Sequence, residues 1–316
     1  MRIHRDHVGL PAAARGASVA IGNFDGVHRG HREVIRVAAG HARKLRCPLG
    51  VVTFEPHPRE VLTPTAAPAR LTPLRRKAEI LRGLGVERLH VLRFDERLMR
   101  VPAAAFVTDI LLGDLAVAAV TTGCDFRFGH KRQGDTALLA EIAGAHDLPV
   151  SAVDPVTVDG EVCSSTAIRE ALGQGRVEHA AAMLGQPFEL EGVVRPGDRR
   201  GRTIGFPTAN VHPFGRRPML PAIGIYAVTA GLRRAAGVAW LPAVAYIGRR
   251  PTFDGQGVLL EVHLLEGGAD LYGQRLRVAF LERLRGDQHF PGVDELKEQI
   301  ARDCERARAV HALVPA

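Results

Sequence analysis

The sequence predicts an α/β domain built on a parallel sheet, followed by a small antiparallel β-barrel with a C-terminal helix. In the first half, short apolar runs alternate with amphipathic stretches of helical period. Beyond residue 185 the texture changes to closely spaced strand-like runs broken by Gly, Pro and Asp. Near the end, "VDELKEQIARDCERARAV" sets Leu296, Ile300 and Cys304 on one helical face.

Strands are expected at 17–22, 49–54, 88–94, 116–123 and 149–153, and helices at 29–45, 73–84, 102–113 and 134–146. The strand runs are almost wholly apolar, as in a parallel sheet covered on both faces. Pro73 and Pro102 suit first-turn positions. In "SSTAIREALGQG", Ser165 or Thr166 is expected to cap a helix, and "VEHAAAMLGQP" reads as a second helix stopped by Gly185 and Pro187. The barrel strands are "FELEGVV", "GIYAVTAGL", "LPAVAYIG", "GVLLEVHLL" and "QRLRVAFLERL". At 316 residues the chain has room for two domains, placed at 1–185 and 186–316.

An apolar fraction of 46% against 24% charged residues supports folded domains rather than disorder. Cys47, Cys124, Cys163 and Cys304 lie far apart with no C-x-x-C pair, which argues against a disulfide framework or zinc site and for a cytoplasmic location. Residues 1–22 contain no unbroken apolar run of the kind a secretory leader needs. No apolar stretch is long enough to span a membrane. The net charge of +8 suits anionic partners. The basic residues are scattered, with small clusters at 70–77 and 195–202 and no basic stripe interleaved with aromatics. Nucleic acid and phosphorylated small molecules both suit that balance, and charge alone does not name the partner.

The stretch "GNFDGVHRGH" (22–31) joins a strand to a helix and holds Gly22, Phe24, Asp25, His28, Gly30 and His31. Residues at i and i+3 share a helical face, so His28 and His31 can address one ligand. A helix N-terminus offers unpaired N–H groups and partial positive charge, which suits polyphosphate. Metal binding and a plain turn are the alternatives, the former weakened by the lack of a third ligand at a matching offset. "FEPHP" (54–58), "GCDFRFG" (123–129) with Asp125, and "CSSTAIRE" (163–170) with Ser165, Thr166 and Arg169 follow in order. In the second domain, "GRTIGFPTAN" (201–210) is neither a Walker A nor a kinase glycine-rich loop. Its Gly201 and Gly205 permit unusual backbone angles, and Thr208 and Asn210 offer hard oxygen donors suited to Mg²⁺ on nucleotide phosphates.

Taken in order over nearly the whole length, these motifs resemble the prokaryotic bifunctional riboflavin kinase/FMN adenylyltransferase (FAD synthetase) family. The resemblance implies a Rossmann-like nucleotidyltransferase domain followed by a six-stranded barrel. It implies phosphorylation of riboflavin by ATP to FMN, then transfer of AMP from ATP to FMN, giving FAD and pyrophosphate. By the same resemblance, His28 and His31 are catalytic in adenylylation. Gly22, Phe24, Asp25 and Asp125 belong to the nucleotide site, and Ser165, Thr166 and Arg169 to the segment closing over ATP phosphates. Gly201, Thr208 and Asn210 belong to the kinase nucleotide site, with Thr208 and Asn210 holding Mg²⁺. Glu261 in "LEVHLL" matches the base for the riboflavin 5′-hydroxyl, while His263 shares its strand face without a catalytic role. The chain departs from the family at Tyr246, where Asn is usual, and at Cys163, where an aliphatic residue is common. Nucleotidyltransferases with the same histidine motif and other acceptors (phosphopantetheine, nicotinate mononucleotide, choline phosphate) leave the barrel motif unexplained.

Overall fold

The computed structural model describes residues 1–197, 204–234, 237–252, 255–266 and 271–313. The chain divides into two compact units, Met1–Ser165 and Thr166–Ala316.

Unit one holds six strands: β1 (Arg2–Arg5), β2 (Ser18–Ile21), β3 (Leu49–Glu55), β4 (Arg88–Arg93), β5 (Ala119–Gly123) and β6 (Val150–Val153). They form one parallel sheet in the order β1-β4-β3-β2-β5-β6. Its helices are α1 (Arg29–Leu45), α2 (Pro58–Leu62), α3 (Leu74–Gly83), α4 (Glu96–Met99), α5 (Ala103–Ala105) and α6 (Thr136–Gly144). The α5 turn runs directly into a π-helix, Phe106–Asp114, where a single α-helix over 102–113 was expected. A short hairpin of β7 (Thr157–Val158) and β8 (Glu161–Val162) precedes the unit boundary.

Burial on both faces explains the unbroken apolar strands. Ile21, Val52, Leu92 and Val120 pack against Phe106, Val107, Ile110 and Leu111. Ala20, Val51, Leu89 and Val91 pack against Val34, Ile35 and Ala38 of α1 and Ala78 and Leu81 of α3. The edge strand β1 escaped the sequence reading because "RIHR" is mostly exposed and shows no apolar face. Strand order reverses between β2 and β5, so the crevice beyond their carboxyl ends is the topological switch point where such sheets bind ligands.

Unit two opens with α7 (Ser165–Gly173, its first residue closing unit one) and α8 (Val177–Leu184). A closed antiparallel barrel follows, ordered β10-β13-β12-β11-β14-β9, and then α9 (Val293–Ala312). The strands are β9 (Phe188–Arg195), β10 (Ala209–Pro213), β11 (Gly224–Arg234), β12 (Gly237–Thr252), β13 (Gly255–Leu264) and β14 (Arg275–Arg285). Period-two alternation turns Leu190, Tyr226, Val228, Ala245, Val262 and Phe280 inward, all nearly inaccessible. Outward-facing Ala227 and Val244 are covered by Cys304 and Ala307 of α9, with Ile300 alongside. β10 begins at the last two residues of "GFPTAN" and runs on through "VHP", where the sequence shows turn residues and no alternation. The chain divides ahead of α7 and α8, which group with the barrel. Their apolar sides, including Ile168, Leu172, Ala180 and Met183, are fully buried, and Ala222 N donates to Leu172 O at 2.9 Å.

Candidate active sites

The 22–31 segment leaves β2 at the switch point and enters α1. Phe24, Gly26 and Val27 all have positive φ, so the loop turns sharply before His28. His28 is the N-cap of α1, and its Nδ1 accepts from the His31 backbone N–H at 3.3 Å. That bond leaves the ring's proton on Nε2 when His28 is neutral. The two imidazoles stack with centroids 3.6 Å apart and planes 23° apart. Gly30 leaves room for this stack: a Cβ there would lie 3.2 Å from the His28 ring and 3.4 Å from the Cys163 carbonyl, so these neighbours would have to give by a few tenths of an ångström. The tight approach at Gly30 is therefore to the loop's own imidazole. Cys163 also brings its Sγ to 3.7 Å from His28 Nδ1. Burial, then the neighbouring His28 and Lys77, hold the His31 pKa well below the usual imidazole range. His31 is thus a neutral ring at physiological pH.

Asp25 is 1% exposed, and its carboxylate accepts from the backbone N–H groups of Leu71 and Thr72 at 3.2 and 3.0 Å. Gly26 N–H donates to Thr72 Oγ1 at 2.9 Å, tying the same two segments together. Asp25 therefore works as a brace within the loop. The brace extends into an ion network that the sequence did not reveal. Arg70 reaches Glu55 at 2.5 Å, Glu60 at 3.1 Å and Asp25 at 4.0 Å. Burial opposes its charge, but Glu55, Asp25 and Glu60 outweigh burial and raise its pKa. The basic cluster at 70–77 is thus directed largely inward, for Lys77 is fully buried as well. Arg75 and Arg76 pair with Glu79.

The other expected residues of the first site are placed as follows. Gly22 lies beside the Phe24 ring, 3.4 Å from where its Cβ would stand, and Phe24 leans on His31 with centroids 5.1 Å apart. Asp125 is exposed on the turn after β5, whose Phe126 N–H donates to Gly123 O. Ser165 Oγ donates to the Asp25 carbonyl at 2.8 Å, so this hydroxyl secures the loop. α7 starts at Ser165, so Ser165 and Thr166 are its first two helical residues. Thr166 and Arg169 lie on α7 and are counted with unit two, Thr166 exposed and Arg169 half-buried.

In the barrel, strand register assembles the second site. Asn210 stands opposite Glu261 across β10 and β13, and Glu261 stands opposite Tyr246 across β13 and β12. All three share the outward face. A Cβ on Gly197 would strike the Asn210 amide at 2.1 Å, so backbone lies directly on that side chain. His263 Nδ1 bonds the Pro207 carbonyl at 2.8 Å, and its ring meets Phe206 edge-on at 5.6 Å. His263 thereby fixes the segment leading to half-buried Thr208. Gly205 has φ 91°, the left-handed backbone expected of it. Gly201 lies outside the described residues.

These two folds and sites define a two-module enzyme class: a nucleotidyltransferase-type α/β domain joined to a flavokinase-type barrel. An FAD synthetase family model matches residues 10–167, and a riboflavin kinase model matches 184–311. The chain is 43% identical to the bifunctional riboflavin kinase/FMN adenylyltransferase of Escherichia coli strain K12, covering 96% of this chain and 95% of that protein. It is 42% identical to the protein of the same name from Pseudomonas fluorescens, covering 99% and 98%. A solved structure from Streptococcus pneumoniae, described as a macrolide-efflux protein, superposes with TM-score 0.86 at 31% identity over 97% of this chain and 98% of that one. The chain belongs to the bifunctional riboflavin kinase/FMN adenylyltransferase family.

Proposed function

We propose that residues 1–185 carry adenylyl transfer and residues 186–316 carry riboflavin phosphorylation. The chain phosphorylates riboflavin with ATP to FMN, then transfers AMP from a second ATP to FMN, giving FAD and pyrophosphate. The observation that supports the first assignment is the stacked His28–His31 pair at a helix N-terminus on the switch point. An FMN phosphate oxygen attacks the α-phosphorus of ATP, and the bond to pyrophosphate breaks. Imidazole N–H groups and the amides opening α1 stabilise the charge growing on the phosphate oxygens. Gly22 and Phe24 shape the nucleotide site and Asp25 braces it, while Asp125, Ser165, Thr166 and Arg169 complete it around ATP.

For the kinase, the register that sets Asn210 opposite Glu261 supports the assignment. Glu261 accepts the proton of the riboflavin 5′-hydroxyl as that oxygen attacks the γ-phosphorus and ADP leaves. Such base assistance is worth on the order of 10²–10⁴-fold. Gly201 belongs to the same nucleotide site. Thr208 and Asn210 offer a hydroxyl and an amide oxygen. Among the described residues no cluster of three His, Cys, Asp or Glu could cage a metal. That donor set fits Mg²⁺, which takes much of its coordination from phosphates and water and neutralises phosphate charge. We assign the positive balance of the chain to phosphorylated substrates rather than nucleic acid or membrane. None of its four cysteines is in a disulfide, which supports a cytoplasmic location.

The test is direct. The purified protein is incubated with riboflavin, ATP and Mg²⁺, and the flavins are separated by chromatography. FMN followed by FAD is the expected outcome; unchanged riboflavin would overturn the reading.

A further inference from the structure

Lys77, on α3, is a charged side chain with no access to solvent. Its Nζ donates to the Asn23 carbonyl at 2.7 Å, lies 3.4 Å from Thr53 Oγ1, and is 3.5 Å from Glu55. Thr53 Oγ1 donates to the same Asn23 carbonyl at 3.2 Å. Two side chains from separate elements thus converge on one peptide oxygen, two residues before Asp25 and five before His28. Burying an ammonium is costly unless it is paired and hydrogen-bonded. Packing alone would be served by an apolar residue at this position. Glu55 supplies the counter-charge and is itself held at 2.5 Å by Arg70, which also reaches Asp25.

We propose that Lys77 is a positioning residue for adenylyl transfer, holding the histidine loop from beneath through the Asn23 carbonyl, with Glu55 and Arg70 as its neutralising partners. The inference rests on assigning adenylyl transfer to His28 and His31. The held loop carries Phe24 against the His31 ring, and places His28 as the cap that receives His31 N–H. Lys77 also acts on His31 by charge. The groups set against His31 are His28 from its own turn and Lys77 from α3, with Glu55, Arg70 and Asp25 behind Lys77. Burial, His28 and Lys77 all favour the neutral ring. Removing the ammonium therefore moves the His31 titration upward, toward 6.5.

Lys77→Met keeps the length of the side chain and deletes its charge and donors. In the full-length chain, FMN-to-FAD turnover is expected to fall on the order of tenfold or more, as small misplacements of catalytic groups do. Riboflavin phosphorylation is expected to stay at the wild-type rate. The His31 imidazole, followed by NMR without substrates, is expected to titrate at higher pH than in the wild type. A lysine serving only as packing bulk, its charge cancelled by Glu55, would leave that titration unmoved. A folded Lys77→Met with wild-type adenylylation and an unmoved His31 titration overturns the proposal. Thr53→Val removes the second donor to Asn23 and leaves the charge in place. It is expected to slow adenylylation without shifting His31, and full activity in this variant overturns the loop-holding role even if Lys77→Met does not fold. Wild-type protein that makes no FAD from FMN would instead remove the underlying site assignment.

Discussion

Tyr246 lies directly across the β12–β13 ladder from Glu261, and its hydroxyl donates to Asp287 Oδ2 at 3.1 Å. Its ring rests over Gly248, where a Cβ would come within 2.5 Å, so the glycine two residues on makes room for it. Burial, then Asp287 and Glu261, push the phenol up to about 12. Tyr246 is therefore a neutral donor throughout the working range. Tyr246→Phe removes the bond to Asp287 and keeps the ring. The kinase KM for riboflavin should change several-fold while kcat stays within about twofold, the signature of altered uniform binding. Steady-state kinetics at varied riboflavin reads this; a large fall in kcat at unchanged KM would place the hydroxyl in the transition state.

Glu261→Gln preserves size and loses the ability to accept a proton at neutral pH. Riboflavin phosphorylation should fall by about 10²-fold or more, with adenylylation of supplied FMN unchanged. Near-normal kinase turnover would show that another group serves the 5′-hydroxyl. Thr208→Ala should instead raise the Mg²⁺ concentration needed for half-maximal kinase activity, and an unchanged magnesium titration would refute its role as a cation ligand.

Gly30→Ala tests the stack itself. The added Cβ meets the His28 ring at 3.2 Å and must displace it or Cys163. FAD formation should drop at least about tenfold, with kinase activity preserved because Gly30 lies outside the barrel, and with the better helix propensity of Ala over Gly offsetting part of the crowding. Wild-type FAD formation in Gly30→Ala would mean that stacking at 3.6 Å is not needed for transfer.

Where chemistry was legible in the sequence, it lay in short contiguous motifs. The strand-to-helix turn, His28 and His31 on one face, and Glu261 sharing a strand face with His263 all follow from local period and spacing. The ion network did not, because Glu55, Arg70 and Lys77 come together only through the packing of β3, the 70–72 segment and α3. Read along the chain, Arg70 and Lys77 were simply members of a basic cluster. β10 was hidden for a related reason: its inward residue Val211 is flanked by Asn210 and His212, and its pairing with β9 and β13 is non-local. The period-two rule left Tyr246 undecided, and only the ladder register placed it beside Glu261.

Stability of the first unit should depend on pH through a second histidine pair. His4 and His90 are opposed in the β1–β4 register and stack at 5.2 Å. Burial, then His4 and Arg88, lower His90 from 6.5 to about 4. His4 Nε2 and His90 Nδ1 are sealed from water with no hydrogen-bond partner among the described residues. The folded state thus prefers neutral His90, and the unfolded chain binds its proton more readily. The stabilisation is fully present above about pH 6.5 and is lost as pH falls toward about 4, amounting to about 3 kcal/mol at most. Denaturant melts of the first unit between neutral pH and about pH 5 should show the loss, and His90→Leu should flatten it. Parallel losses in wild type and His90→Leu would assign the acid sensitivity elsewhere.

The boundary of the kinase module gives the last test. A fragment starting at residue 186 contains every barrel strand and the assigned kinase residues, but it omits α7 and α8. Those helices are built into unit two. Leu172 O accepts from Ala222 N, and α8 buries Val177, Ala180 and Met183 completely. Gly175 lies so close to Arg283 of β14 that a Cβ would meet its side chain at 2.6 Å, while Arg283 Nη2 donates to the Ile223 carbonyl at 2.9 Å. Removing the helices uncovers this end of the barrel and strips packing from Arg283. Each large apolar side chain so exposed costs about 1.5–3 kcal/mol of burial. A fragment of residues 166–316 should therefore fold alone and phosphorylate riboflavin at near the full-length rate. The 186–316 fragment should melt at clearly lower temperature, with weakened or absent kinase activity at equal concentration. Equal melting temperatures for the two fragments would show that α7 and α8 add nothing to the barrel and that the functional boundary stands at 185/186.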